Sequence, residues 1–147
     1  MHLSSVQKLQ IVLTAAKTTN DMPVVVEWID ISNIALPSFQ TTPTNTNGVT
    51  IVDIVAAPAA LIQRKISALT VTNRDTATKT VEIYLDNNGT DYLLVSCQLS
   101  VGDMLGYSDT RGWYAQDQYG CEKTTVQLAY SVVITALGFT PENVANK

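Results

Sequence analysis

The sequence predicts an all-β protein: a single antiparallel β-sandwich of jelly-roll type, with about eight strands and a short helix or arm at its N-terminus. Three observations lead there. Runs rich in Val, Ile, Thr and aromatic residues recur along the chain, beginning at Met22-Pro23-Val24-Val25-Val26-Glu27-Trp28. Turn signals separate these runs at intervals of roughly 8–12 residues, a rhythm of sandwiches and barrels and not of βαβ units. Of 147 residues, 46% are hydrophobic and only 15% charged. The difference is filled by Thr, Asn, Gln and Ser, which suit uncharged sheet surfaces. A chain of this length buries roughly 68–70% of its unfolded surface as one domain, so its core needs no staples.

Residues 4–16 are the helical candidate: Val6, Leu9, Leu13 and Ala16 fall at helical spacing, and Ser4 with Gln7 fits a capping box. Residues 1–21 are accordingly an N-terminal arm with a short helix, 22–121 the sandwich, and 122–147 a final strand and C-terminal tail. Strand character runs from 22 to 31. Residues 37–48, with two prolines, a glycine and many polar residues, are expected to be a long loop. Strands resume over 49–55 and, after the break Ala56-Ala57-Pro58-Ala59-Ala60, over 62–73. Asn73-Arg74-Asp75-Thr76 supplies turn chemistry.

Residues 78–85 alternate, Val81, Ile83 and Leu85 on one face and Thr80, Glu82 and Tyr84 on the other, as in a strand with one buried face. Asn87-Asn88-Gly89 then turns the chain into a strand over 92–97. Further strands are expected at 104–108, 113–116 and 124–137, and Thr140-Pro141 fits the start of a terminal helical turn.

Charge and cysteine content narrow the function. A net charge of −4 and a pI near 4.7 weigh against nucleic acid, because phosphate affinity comes largely from Lys and Arg. No basic-then-apolar leader precedes the first strand and no segment approaches the ~20 apolar residues of a membrane span, so the expected compartment is a cytoplasm, with no membrane partner. Cys97 and Cys121 lack CxxC spacing and are expected as reduced thiols.

Chemistry-bearing patterns are sparse. Asp86, Asn88 and Asp91 offer oxygens for calcium, but the twelfth position of an EF-hand counted from Asp86 is Cys97, not a bidentate Glu. Asn88-Gly89-Thr90 matches a glycosylation acceptor without the compartment for it. Gly106-Tyr107-Ser108-Asp109-Thr110 opens like a nucleophile elbow, yet Thr110 stands where the closing glycine belongs and His2 is the one histidine. No phosphate-cradling glycine motif is present. Asp30, Asp53, Asp91 and Asp103 are candidates for a hydrolytic carboxylate pair, against the plainer reading as surface turn residues. Tyr107, Trp113, Tyr114 and Tyr119 suit either stacking on a sugar or padding of a core and its rim. No catalytic residue, metal or cofactor is assigned.

Several short motifs stand in a familiar order. They are Asn73-Arg74-Asp75-Thr76-Ala77, Val81-Glu82-Ile83-Tyr84-Leu85, Gly89-Thr90-Asp91-Tyr92-Leu93, Leu99-Ser100-Val101-Gly102-Asp103 and Gly112-Trp113-Tyr114, preceded by Lys8-Leu9-Gln10-Ile11-Val12-Leu13 and Trp28-Ile29-Asp30-Ile31. Over about residues 8 to 120 this order resembles the small β-sandwich virion proteins of tailed bacteriophages. The resemblance implies a non-enzymatic structural protein, first of all a capsid decoration (cement) protein. Such a protein sits on the capsid exterior as a homodimer or homotrimer and bridges neighbouring copies of the major capsid protein, after assembly in the host cytoplasm. The alternative it leaves is a neck, tail or fibre component with a carbohydrate-binding sandwich. The expected contact elements are the arm, the loop over 37–48 and the tail, with Leu3, Val6, Leu9, Leu13, Phe39, Trp113, Tyr114 and Phe139 as interface residues.

Overall fold

In the computed structural model, which describes residues 1–33 and 36–123 and the backbone of Gln127 and Leu128, two antiparallel sheets share one apolar core. The strands are β1 (His2–Leu3), β2 (Gln7–Leu13), β3 (Pro23–Ile31), β4 (Ser38–Asn45), β5 (Val52–Val55), β6 (Gln63–Thr72), β7 (Lys79–Asn87), β8 (Thr90–Leu99), β9 (Met104–Ser108), β10 (Gly112–Gln116), β11 (Glu122–Lys123) and β12 (Gln127–Leu128). One sheet has the order β11-β10-β9-β6-β3-β4, and the other β12-β8-β7-β2-β5. β3 runs along one flank of β6, while β9 and the short β1 share the opposite flank, β1 beside Arg64 and Lys65.

Alternation makes the core. β2 points Leu9, Ile11 and Leu13 inward, β7 points Val81 and Ile83, β8 Val95, Cys97 and Leu99, and the first sheet answers with Val24, Val26, Ile66, Leu69, Val71, Leu105 and Ala115. Leu85 packs against this cluster from its edge. The β7–β8 turn is a two-residue loop in which Asn88 (φ 54°) and Gly89 (φ 87°) both take the left-handed conformation of a type I′ hairpin. Residues 124–126 and 129–137 of the expected last strand, the turn at Thr140, and Phe139 lie outside the described residues.

Two expectations are corrected. The helix over 4–16 is instead a turn and a strand, and no helix occurs among the described residues. Leu9, Ile11 and Leu13 satisfy a period of two as well as Leu9 and Leu13 satisfy a helical one, and the non-local pairing of β2 with β5 and β7 decides between them. One half of the capping pair forms, since the Ser4 N–H donates to Gln7 Oε1 at 2.9 Å, while the Gln7 N–H donates to the Ser4 backbone carbonyl at 3.0 Å. It closes a turn that launches a strand. The arm is therefore no appendage, because β2 sits inside its sheet, between β7 and β5.

The loop expected over 37–48 contains β4, an eight-residue strand paired with β3 from Pro23 opposite Asn45 to Asp30 opposite Ser38. None of its side chains is fully buried, so it shows no apolar alternation. Pro43 is tolerated because β4 is an edge strand.

Ile11→Ala, which deletes atoms from the shared core, is expected to lower unfolding stability by about 2–5 kcal/mol in urea denaturation. Val6→Ala, at a residue 52% exposed, is expected to change it by less than about 0.5 kcal/mol. Similar costs at the two positions would contradict the strand assignment.

Candidate interaction surface

Three places concentrate polar or aromatic side chains: a buried polar corner, an aromatic strip on β9 and β10, and the flank formed by β4, β5 and their connection.

The corner grows from Asn73-Arg74-Asp75-Thr76-Ala77, where the chain leaves β6 and crosses to β7. Asn73, fully buried, donates from Nδ2 to the carbonyls of Ala77 (3.0 Å) and Leu99 (2.9 Å) and accepts the Asp75 N–H at Oδ1 (2.9 Å). Asp75 then receives the backbone N–H groups of Thr18 and Thr19 at 2.7 Å, Thr76 at 2.8 Å and Asn20 at 3.2 Å. Lys79 lies 3.4 Å from it and donates to the Ala16 carbonyl (2.5 Å) and Thr18 Oγ1 (3.0 Å). Burial alone raises the Asp75 carboxyl, and the four backbone donors reverse this and hold it well below the usual carboxylate range.

The Leu99-Ser100-Val101-Gly102-Asp103 motif docks on the same asparagine. The Asn73 N–H donates to the Asp103 carbonyl (2.8 Å), the Gly102 N–H to the Asn73 carbonyl (2.9 Å), and the Ser100 N–H to Asp103 Oδ2 (2.7 Å). Burial raises the Asp103 carboxyl, but its bonds with Lys123 and Ser100 bring it below its ordinary value. Each carboxylate here is consumed in holding backbone, which makes the corner a clamp.

The other candidate carboxylates stand apart. Arg64 grips Asp30 through Nε (2.8 Å) and Nη2 (2.9 Å) while its guanidinium stacks on Trp28, 3.6 Å from the ring centroid. Asp53 receives Lys8 (3.0 Å) and Gln10 (2.6 Å), and Asp86 accepts the Gly89 N–H (2.6 Å) beside Lys8. Asp91 faces Asp86 across the β7–β8 hairpin. Ser108 Oγ accepts the Arg111 N–H at 3.2 Å. Among the described residues no three His, Cys, Asp or Glu side chains gather in a way that could hold a metal ion. Cys97 is buried and Cys121 exposed, both as free thiols, and burial pushes the Cys97 thiol up.

The aromatic residues do not form one platform. Tyr107 and Trp113 pair across β9 and β10 at a centroid distance of 5.0 Å and pack on the core side. The Met1 amino group donates to the Tyr107 hydroxyl at 2.7 Å. Tyr114 faces the other way, over Gly106, where a Cβ would stand 2.4 Å from the phenol ring. Arg111 covers Tyr114 from above, 4.3 Å from its centroid. Tyr119 is exposed in the following turn.

The third place was hidden from motif analysis. From Ile31 to Val52 the sequence contains no Asp, Glu, Lys or Arg. This run forms β4, the connection to β5 and the start of β5, the free outer strands of the two sheets on one flank. Phe39 (75% exposed), Val49 and Ile51 are exposed along it, with Val25 and Ile31 on neighbouring β3. The signal was there as a gap in charge, which no catalytic or ligand motif registers.

Of the expected interface residues, Leu3, Leu9 and Leu13 are core residues at 0–1% exposure, which removes them from any surface the folded chain can offer. Trp113 is half-buried against the core and Tyr114 is sandwiched between Gly106 and Arg111. Val6 and Phe39 are exposed. Comparisons of the chain with protein-family models, curated proteins and solved structures give no match.

The clamp has a pH signature. Because the Asp75 carboxyl is depressed in the folded chain, its contribution is complete above the unfolded value of about 4 and is lost as pH falls toward the folded value. Thermal melts of the wild type are expected to fall in that acid window more steeply than those of Asp75→Asn, which is expected to be less stable at pH 7 than Asp91→Asn. Parallel acid limbs for wild type and Asp75→Asn would show that the carboxylate is not the clamp.

Proposed function

We propose that this chain is a non-enzymatic structural component of a tailed-bacteriophage particle, and that it decorates the capsid exterior by bridging neighbouring copies of the major capsid protein. One observation carries the reading: the residues of the virion-protein motif order are the ones that build the corners of the sandwich. Asn73 and Asp75 tie the β6–β7 crossing to residues 18–20, Leu99 and Asp103 close the β8–β9 corner on the same Asn73, and Trp113 packs on the core. Two of the motif stretches, 73–77 and 99–103, thus meet in one hydrogen-bonded unit.

Strand order supports the jelly-roll part of the reading. When β2 and β3 are counted after β9, the eight strands β4, β5, β6, β7, β8, β9, β2, β3 occupy the two sheets as first-eighth-third-sixth and second-seventh-fourth-fifth. We take that order as support for a double Greek-key jelly roll with its sequence start shifted. β10, β11 and β12 then extend the sheets beyond these eight.

A decoration protein works by contact free energy, and a flank of Thr, Asn, Gln and Pro suits it. Such a surface costs less to desolvate than one of Lys and Glu, and modest contacts repeated by symmetry sum to a large resistance. Two of the four aromatic residues of the carbohydrate-binding alternative, Tyr107 and Trp113, pack on the core side.

Cryo-electron microscopy of particles that carry the chain tests the proposal. Density for the sandwich is expected on the outer shell between major capsid proteins. Density confined to neck, tail or fibre, or its absence from the particle, overturns the capsid assignment.

A further inference from the structure

We infer that the open edge of β4 pairs with β4 of a second copy, joined antiparallel across a two-fold axis. The inference deepens the structural-component reading by naming a surface through which the chain meets itself.

β4 is an anomaly as part of a lone chain. It is eight residues long, pairs on one side only among the described residues, and of its side chains only Thr42 and Thr44 are even partly covered. Edge strands of soluble proteins are commonly blunted by Lys, by inward charges, by bulges or by brevity. β4 has no charged residue and is not short, and its register with β3 is unbroken from Ser38 to Asn45. Pro43 is its one blunting device, and it lies toward one end. Ser38 to Thr42 keep every backbone donor.

Charge selects the occupant. Two copies of a chain with net charge −4 repel each other in general. The flank from Ile31 to Val52 has no charge of either sign, so two copies approach there without opposing like groups. A two-fold axis also requires a surface complementary to itself, which an antiparallel strand edge is. A pairing centred on Gln40 uses the proline-free half of the strand and lays Phe39 of each copy beside Thr41 of the other. The exposed Phe39 is then covered, and the sheet β11-β10-β9-β6-β3-β4 continues across the axis into its copy.

The test uses the full chain without any particle, so its failure is distinct from failure of the capsid assignment. Sedimentation equilibrium is expected to show a monomer–dimer equilibrium. Gln40→Lys and Gln40→Glu, at an exposed position, each place two like charges face to face and are expected to weaken the dimer roughly tenfold or more. An equimolar mixture of the two variants restores it as a heterodimer, with circular dichroism spectra unchanged throughout. A wild-type chain that stays monomeric, one that forms trimers, or a dimer indifferent to both substitutions overturns the inference. So does a mixture no tighter than its components.

Discussion

A buried carboxylate with four backbone donors is the constraint on which this sandwich depends. Asp75 lies at a crossing between the two sheets, and three of the four N–H groups it collects belong to the β2–β3 connection, itself another crossing, while the fourth is that of Thr76 beside it. A crossing segment has left its ladder, and its amides need other acceptors if they are buried. One ionised side chain supplies them for residues 18, 19 and 20 together. Asn73 performs the complementary service for carbonyls, with one amide nitrogen held by Ala77 and Leu99. The sheets are thus joined by apolar packing in the middle and by charge-assisted hydrogen bonds at this end. No buried side-chain nitrogen or oxygen among the described residues lacks a partner.

The opposite end is built differently. There the β5–β6 connection carries Ala56, Ala57, Ala59 and Ala60, and Leu61 is 92% exposed with φ 68°, a left-handed conformation that a leucine adopts only under constraint from its neighbours. Charged residues at this end come in pairs, Arg64 with Asp30 and Lys65 with Asp109, and the Met1 amino group lies 3.4 Å from the same Asp109. Ion pairs at such partly exposed sites contribute little each. The polar corner therefore fixes the crossings, and the opposite end tolerates strain.

The fold class, the β7–β8 hairpin and most strands were legible because one buried face leaves an alternating trace, as in Val81, Ile83 and Leu85. Two elements were not. β2 satisfies two periods at once, and only its distant partners choose between them. β4 buries no side chain, so selection for packing left no pattern in Ser38-Phe39-Gln40-Thr41-Thr42, and Pro37 before it and Pro43 within it imitate a loop. The same cause limited the candidate surface. Leu9 and Leu13 were conspicuous because they are apolar, and they are apolar because they are core. The flank that is open for contact differs from its surroundings by lacking charge, a subtler mark than hydrophobicity.

The central place of β2 also has a consequence in time. Its partner residues, Val81 to Asn87, follow it in the chain by roughly 70 positions, and at a synthesis rate of about 5–20 residues per second they emerge some 4–15 s later. Until then β2 has at most the short β5 to pair with, while the β7–β8 hairpin can close as soon as it is made. β2 thus leaves the ribosome well before its inner neighbour β7, and during that wait it is a stretch of apolar chain open to whatever binds nascent polypeptides.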